Sequence, residues 1–328
     1  MNNLKKIGLT ALAGSLVATS VFAGEVTVSG SASMEVQHTN GGAANAGKAF
    51  SMGNQLDFAG SGELDNGLNV SIAFALDQGD DAATSVAQSP FDSHSVSVSS
   101  DALGTLAFHG EGGSTAQSAI DTTAAGDLYD LFDGAQGNLG VTGMAINESG
   151  AGNNSFFYTL PTMMEGVKLF ASYSPQIAST AQSAGSTGYG ITYTGVEGLT
   201  VSYATNDVNG GSAAADGDTD AIALAYVMGS ITAKYSNNDY DVGTAAQDQD
   251  TEAYSLSYTV SDSLSVTYGI ETISEGTLID ADYSKISTSY TTGGVTISAS
   301  MAEGENIAGT TAANEDLEYW SLGASFAF

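Results

Sequence analysis

The sequence predicts an all-β protein, a 16-stranded antiparallel transmembrane β-barrel. Three features predict it: apolar and polar residues alternate with period two along most of the chain, the number of such segments is even, and the connections between them alternate between short and long. Thr, Ser, Val, Tyr and Gly are abundant, as strands and turns prefer. Stripes of apolar residues with helical spacing are almost missing.

The composition excludes several classes of protein. The 328 residues include 37 Asp and Glu against 6 Lys and no Arg, for a formal net charge of −31. Such acidity opposes binding to nucleic-acid phosphates or to an anionic bilayer surface. The lack of cysteine excludes disulfides, thiolate chemistry and cysteine-ligated zinc or iron–sulfur sites. Hydrophobic residues make up 42% of the chain, which argues against disorder.

Residues 1–23 are predicted to be a signal peptide. Lys5 and Lys6 form its positive region, residues 7–21 form its apolar stretch, and Val21 and Ala23 stand three and one residues before the cleavage site. Cleavage there leaves residues 24–328 as a single barrel domain. The alternative is an N-terminal membrane anchor. No other apolar run approaches the ~18 residues that a transmembrane helix needs, so we expect no helical span in the mature chain.

Alternation with period two is clear in the third and the last predicted strands. The apolar residues of the third strand are Leu68, Val70, Ile72, Phe74 and Leu76, with Asn69, Ser71, Ala73 and Ala75 between them. The apolar residues of the last strand are Trp320, Leu322, Ala324, Phe326 and Phe328. In each strand one face is therefore apolar and the other is made of small or polar residues.

Sixteen such segments follow one another along the chain. They lie near residues 25–38, 51–64, 67–77, 92–100, 103–110, 153–160, 166–175, 187–194, 198–205, 219–227, 230–238, 251–260, 264–272, 279–291, 294–303 and 315–328. Short turns, such as 65–67 and 261–263, are expected to alternate strictly with long loops that are acidic and rich in Gly and Ala. Examples of the long loops are 78–91, 206–218, 239–250 and 304–314.

These features together suit a lipid bilayer. Each segment has about the 9–11 residues that a tilted strand needs to cross it. Because a bilayer offers no hydrogen-bond partners, every backbone group must pair within the protein, and a closed sheet achieves this without leaving an edge. The alternative is a water-soluble, secreted acidic β-protein with one polar face on each strand.

Several segments resemble the general diffusion porins of Gram-negative outer membranes. Residues 25–32 (EVTVSGSA) look like the family's first strand, and residues 154–161 (NSFFYTLP) and 166–173 (GVKLFASY) are similar to its strand pair after the third long loop. The terminal Phe328 matches the family's assembly signal for the machinery that inserts barrels into the outer membrane. The resemblance covers essentially the whole chain after the predicted signal peptide.

The resemblance implies an outer-membrane channel for passive diffusion of small hydrophilic solutes. It also implies a homotrimer of water-filled barrels in contact with outer-membrane lipids, with no cofactor and no catalytic turnover. Porins of this family fold their third long loop inward to narrow the channel. The alternatives are an enzyme or an adhesin built on the same barrel.

The connection at residues 111–152 is the third long loop and by far the longest, which marks it as functional. Within it, Asp127, Asp130 and Asp133 stand at spacing three, so on a helical turn their carboxylates share one face. The apolar residues Leu128, Leu131 and Phe132 are then free to pack against the barrel wall. Together with the preceding Asp121 they form a candidate pore constriction. The alternative is a solvated turn on the outer surface.

The predicted pore lining is acidic. The inward phase includes three lysines, Lys168, Lys234 and Lys285. The acids in inward phase are Glu25, Glu35, Asp57, Glu63, Asp77 and Glu271. The family's eyelet places arginines opposite the loop carboxylates, and this chain departs from it because it has none. We therefore expect a net negative lumen that prefers cations.

Catalytic and metal-binding motifs are missing from the sequence. The histidines His38, His94 and His109 are dispersed, and neither an H-E-x-x-H pair nor a G-x-S-x-G turn occurs. His109 closes the fifth strand in inward phase beside the longest loop, which is compatible with a pore-lining or structural side chain. The sequence predicts no enzymatic activity, no cofactor and no metal site.

Overall fold

The computed structural model describes residues 25–41, 48–77, 91–132, 144, 154–175, 185–209, 216–242, 248–311 and 315–328. The predicted signal peptide lies outside these residues. The strands are β1 (Glu25–Gly41), β2 (Lys48–Glu63), β3 (Asn69–Asp77), β4 (Phe91–Ser100), β5 (Gly104–Glu111), β6 (Ser155–Thr159), β7 (Val167–Ser174), β8 (Gly185–Val196), β9 (Leu199–Asn209), β10 (Gly217–Met228), β11 (Ile231–Val242), β12 (Gln249–Ser261), β13 (Leu264–Glu275), β14 (Ala281–Thr292), β15 (Val295–Glu305) and β16 (Leu317–Ala327). Within the described residues, a 3-10 turn covers Leu128–Leu131.

The sixteen strands form one closed antiparallel barrel. Each strand pairs with its neighbours in the sequence, and β1 pairs with β16 to close the ring. This architecture confirms the predicted fold class, and each predicted strand is present. The largest difference in length is in β8, predicted at 187–194 and observed at Gly185–Val196. Strands β1 and β2 extend to Gly41 and back to Lys48, because their pairing continues beyond the predicted ends. Among the described residues no helix is long and apolar enough to span a membrane.

Side chains alternate between the two faces of the sheet as the sequence predicts. On β16, Leu317 and Tyr319 are buried inside the barrel, whereas Leu322 and Phe326 are exposed on the outside. The same alternation holds on β13, where Tyr268 and Ile270 are exposed and Glu271 is buried. An apolar outer face suits lipid, and the inner face is left for polar groups.

The connections place the short turns at one end of the barrel and the long loops at the other. Four of the short turns contain two residues each, at 197–198, 229–230, 262–263 and 293–294. The expected alternation holds along the chain, because each connection at the short-turn end is shorter than the long-loop connections before and after it. The longest connection at the short-turn end is 160–166, where Pro161 has no N–H with which to continue β6.

Strands β1 and β16 close around the C-terminal residue. The Gly30 N–H donates to the Phe328 carbonyl at 2.7 Å, and the Phe328 N–H donates to the Gly30 carbonyl at 3.0 Å. A Cβ atom on Gly30 would lie 2.6 Å from Cε2 of the Phe328 ring. The ring therefore lies over a glycine because only hydrogen leaves room for it.

We predict that Gly30→Ala lowers the amount of folded barrel in the outer membrane. The added methyl group displaces the Phe328 ring, and the resemblance to porins implies that this terminal residue is the assembly signal. Deletion of Phe328 is expected to have the same effect. The measurement is the fraction of heat-modifiable barrel in outer-membrane extracts. Gly60→Ala is the matched control on β2, because its Cβ would approach only the flexible Ile72 side chain, at 3.3 Å. Equal yields of the two glycine variants would contradict the prediction.

Candidate pore constriction

The connection between β5 and β6 enters the barrel. Its residues 112–132, which we call the inner loop, lie along the inside of the wall. The Ala116 N–H donates to Ser172 Oγ of β7 at 2.7 Å, and the Ala124 N–H donates to Ser236 Oγ of β11 at 2.7 Å. Ser255 Oγ of β12 donates to the Ala124 carbonyl at 2.6 Å. The inward fold of the third long loop is confirmed.

The far part of the inner loop packs its apolar side chains against the barrel wall. Leu128 and Phe132 are fully buried, in a cluster with Ile273, Tyr283 and Tyr319. The Phe132 ring is stacked on Tyr283, with centroids 5.7 Å apart, and meets Tyr319 edge-on at 6.4 Å. The predicted packing of the apolar face is therefore confirmed. The alternative of a solvated turn on the outer surface is wrong.

The Asp127 side chain and backbone form hydrogen bonds within the inner loop. Its backbone φ is +55°, and Gly126 before it has φ +91°. Asp127 Oδ1 accepts the Thr123 N–H at 2.9 Å, and the Asp127 N–H donates to Thr123 Oγ1 at 2.8 Å. Burial raises the pKa of the Asp127 carboxyl above its usual range, and the hydrogen bonds from Thr123 offset part of this rise.

The four predicted constriction carboxylates do not form the regular array that their spacing suggests. Asp130 is exposed, while Asp121 and Asp127 are half-buried. The left-handed backbone at Asp127 breaks the helical repeat, so its side chain and that of Asp130 do not follow one helical face. Asp133 lies outside the described residues. Their role in a constriction stays a prediction.

Glu271 lies in inward phase, as predicted, but it does not line open space. Its side chain is 1% exposed and is covered by the inner loop. The Thr123 hydroxyl donates to Glu271 Oε2 at 2.5 Å, and the Leu128 and Tyr129 N–H groups donate to its carboxylate oxygens at 3.1 and 3.0 Å. The alternation of β13 with period two predicts that the Glu271 side chain points inward. The alternation alone does not indicate which part of the chain covers this side chain.

The three predicted inward lysines lie on the part of the wall that the inner loop follows. Lys168 Nζ stands 5.6 Å from the centroid of the Phe170 ring on β7. Lys234 is exposed on β11, two residues before Ser236. Lys285 is half-buried on β14, where Glu35 and Glu271 are the nearby charges that act on it. The inward phase of all three agrees with the prediction.

The remaining wall, β1 to β5, carries small hydroxyl side chains and acids on its inner face. Asp57 accepts a hydrogen bond from Gln55 Nε2 at 2.6 Å and lines a concave region together with His109. The other inward residues of this region are Thr27, Ser29, Ala59, Ala73, Ala75, Ser93 and Ser95. Asp77 ends β3, and its side chain lies outside the described part of the chain. Within the described residues no group of His, Asp and Glu is placed to hold a metal ion.

The chain matches the model of one protein family over almost its whole length. The model for the Gram-negative porin matches residues 8–328. The chain belongs to the Gram-negative porin family. It is accordingly a β-barrel channel of the outer membrane, and the family and fold favour a channel without enzymatic activity. No curated protein sequence matches this porin.

Solved porin structures share the fold. A porin refined at 1.8 Å resolution has 21% identity and a TM-score of 0.65, covering 93% of this chain and 100% of its own. An anion-selective porin from Comamonas acidovorans has 17% identity and a TM-score of 0.64, with the same coverage. An engineered variant of the Rh. blastica porin has 17% identity and a TM-score of 0.63, also with that coverage. At these identities the likeness is evidence for the barrel alone.

Proposed function

We propose that this porin is a cation-preferring channel for small hydrophilic solutes, formed by residues 24–328 after removal of residues 1–23 as a signal peptide. One observation carries the cation preference: the wall formed by β1 to β5 has acids among its inward residues. Asp57 and Glu35 point inward there. These five strands carry one lysine, Lys48 at the start of β2, whose backbone pairs in register with His38. Cations are attracted to such a wall, and no arginine in the chain offsets it.

The selectivity of a related barrel does not transfer to this one. The Comamonas acidovorans porin is anion-selective by its description, and it shares 17% of its residues with this chain. Selectivity in a pore depends on the charges of the side chains that line it, and these can change while the backbone is kept. The proposal therefore rests on the charges of this chain.

The inner face of β1 to β5 also favours small hydrophilic solutes. Ser71 and Ser97 face each other across β3 and β4, with their hydroxyl oxygens 2.6 Å apart. Hydroxyl groups can both donate and accept hydrogen bonds, so they can replace part of the hydration of an uncharged polar solute.

The outer face supports a homotrimer, the usual assembly of the family. Phe50 and Met52 of β2 are 84% and 70% exposed, and Met34 of β1 is 58% exposed. In contrast, the outer face near the long-loop ends of β10 and β11 carries Asp220 directly opposite Asp239. Acids in register on this face repel the acidic surface of a second copy of this chain, so we assign the apolar face of β1 and β2 to the contact between protomers. Lipids and the assembly machinery are the other proposed partners.

Conductance in planar bilayers tests the channel proposal. Purified protein should insert in discrete steps, and under a KCl gradient the reversal potential should have the sign of cation permeation. Liposome swelling should show entry of small uncharged sugars and exclusion of large ones. An anion-selective wild type would refute the cation preference, and protein that inserts without conductance would refute the channel.

A further inference from the structure

Glu271 is a buried carboxylate of the barrel wall on which several hydrogen bonds from the inner loop converge. Its Oε2 accepts from the Thr123 hydroxyl and from the Leu128 N–H, and its Oε1 accepts from the Tyr129 N–H. Leu128 and Tyr129 begin the 3-10 turn, so their N–H groups have no partner within it. One side chain of the wall therefore satisfies three donors of the loop.

The hydroxyl of Thr123 requires a hydrogen-bond acceptor at the position of Glu271 Oε2. Thr123 Oγ1 accepts the Gly126 N–H at 3.1 Å and the Asp127 N–H at 2.8 Å. A hydroxyl has two lone pairs and one hydrogen, so its hydrogen is left for Glu271. An amide nitrogen in the position of Glu271 Oε2 would place a donor against donors.

Several other hydrogen bonds between the inner loop and the wall use neutral groups of the wall. Ser172, Ser236 and Ser255 bind the loop through their hydroxyls, and Asn238 Nδ2 donates to the Asp121 carbonyl at 2.7 Å. Each of these groups makes one hydrogen bond to the loop, whereas the Glu271 carboxyl group accepts three. Glu271 is thus the attachment with the most hydrogen bonds among these contacts.

We propose that Glu271 is the positioning residue that holds the inner loop against β13 and thereby sets the open cross-section of the pore. The inference rests on the proposed channel function. Loss of the carboxylate leaves three loop donors without their acceptor. The segment from Thr123 to Phe132 then leaves the wall, while the barrel itself keeps its complete strand pairing.

The chain contains no cysteine, so single cysteines can report the position of the loop. Ala302→Cys on β15 lies inside the barrel, 4% exposed, in the cluster that Leu128 and Phe132 cover. Ala204→Cys on β9 is fully buried beside Ala116, under the other part of the loop. A water-soluble maleimide is added to the purified, folded porin carrying one reporter at a time.

Glu271→Ala should raise the labelling rate at the Ala302→Cys reporter by at least about tenfold, because labelling needs local opening. Labelling at the Ala204→Cys reporter should stay unchanged. Single-channel conductance and open-channel noise should rise in the same variant. Glu271→Gln keeps the volume and one acceptor oxygen, so its labelling and conductance should be intermediate.

Glu35→Gln is the matched control for charge. Glu35 is an inward carboxylate of β1 that accepts the Tyr319 hydroxyl of the wall at 3.0 Å. Its substitution replaces an inward carboxyl group by an amide, as Glu271→Gln does. It should change ion selectivity, but labelling at the Ala302→Cys reporter should remain as slow as in the wild type.

Two results would overturn the proposal: slow labelling at the Ala302→Cys reporter in Glu271→Ala, or fast labelling at both reporters. The second would mean that Glu271 stabilises the whole barrel and not the loop. If the wild type did not conduct but the labelling pattern appeared, Glu271 would still hold the loop and only the channel proposal would fail.

Discussion

Phe132→Ala is expected to raise the single-channel conductance while the barrel still assembles. The ring is fully buried between the inner loop and the wall, stacked on Tyr283 and edge-on to Tyr319. Truncating a buried phenylalanine to alanine costs about 3–5 kcal/mol. This loss falls on the docking of the loop, because the strands are held by their own ladders of hydrogen bonds. The loop should therefore leave the wall and widen the pore.

Phe156→Ala is the matched control for this substitution. Phe156 is 40% exposed on β6, on the face opposite to the lumen, where its ring lies 5.1 Å from that of Phe108. The change removes the same atoms from the outer surface, so the conductance should stay that of the wild type. The prediction is contradicted if both variants conduct alike, or if Phe132→Ala keeps the wild-type conductance with the loop still docked.

The barrel could be predicted from the sequence because period two and the bilayer leave few alternatives. A strand whose apolar face is on the outside must have all its backbone groups paired, so an even series of such strands closes into a ring. The pattern of Trp320, Leu322 and Phe326 gave the outer face of β16 without knowledge of its neighbours. The ends of β1 and β2 were missed because they depend on how far two strands continue to pair, which single-strand patterns do not encode.

The interior of the pore was predicted less completely. Spacing gave the apolar packing of Leu128 and Phe132, since a short helical turn places them together. It did not give the conformation of Asp127, because a positive φ at a residue other than glycine depends on the surroundings. Gly126 directly before it was the local sign of an irregular turn. The attachment to Glu271 joins residues far apart in the chain, and only the closed barrel brings them together.

Neutralising the four loop acids is expected to reduce the cation preference markedly. The change is to asparagine at Asp121, Asp127, Asp130 and Asp133, which keeps the side-chain shape. A charge about 4 Å from a passing ion contributes about 1 kcal/mol even at the dielectric constant of water, which is about fivefold in a permeability ratio. The reversal potential under a KCl gradient should move toward zero. Asp130, exposed on the loop, should account for a large share of the shift.

Three acids at the long-loop end provide the control: Asp216, Asp218 and Asp220. Asp218 and Asp220 lie on the outer face of β10, in register with Asp241 and Asp239 of β11. Salt screens charges beyond about 8 Å at physiological ionic strength, so these acids should have little influence on an ion inside the barrel. Their substitution by asparagine should shift the reversal potential less than that of the loop acids. Equal shifts would place the selective constriction elsewhere.

The contribution of Asp127 to this preference should depend on pH. Burial raises the pKa of its carboxyl, so on acidification Asp127 is protonated at a higher pH than an ordinary aspartate, whose pKa is ~3.9. The wild type should therefore begin to lose cation preference at a higher pH than Asp127→Asn does. The stability of the docked loop should change with pH in the opposite direction to the cation preference. The stabilisation that the neutral Asp127 carboxyl gives to the folded loop is present at low pH and is lost as pH rises through the raised pKa. Reversal potentials of the wild type and of Asp127→Asn, measured from neutral to acidic pH, test this difference in pH dependence. Coincident pH profiles would show that Asp127 does not act on the permeating ion.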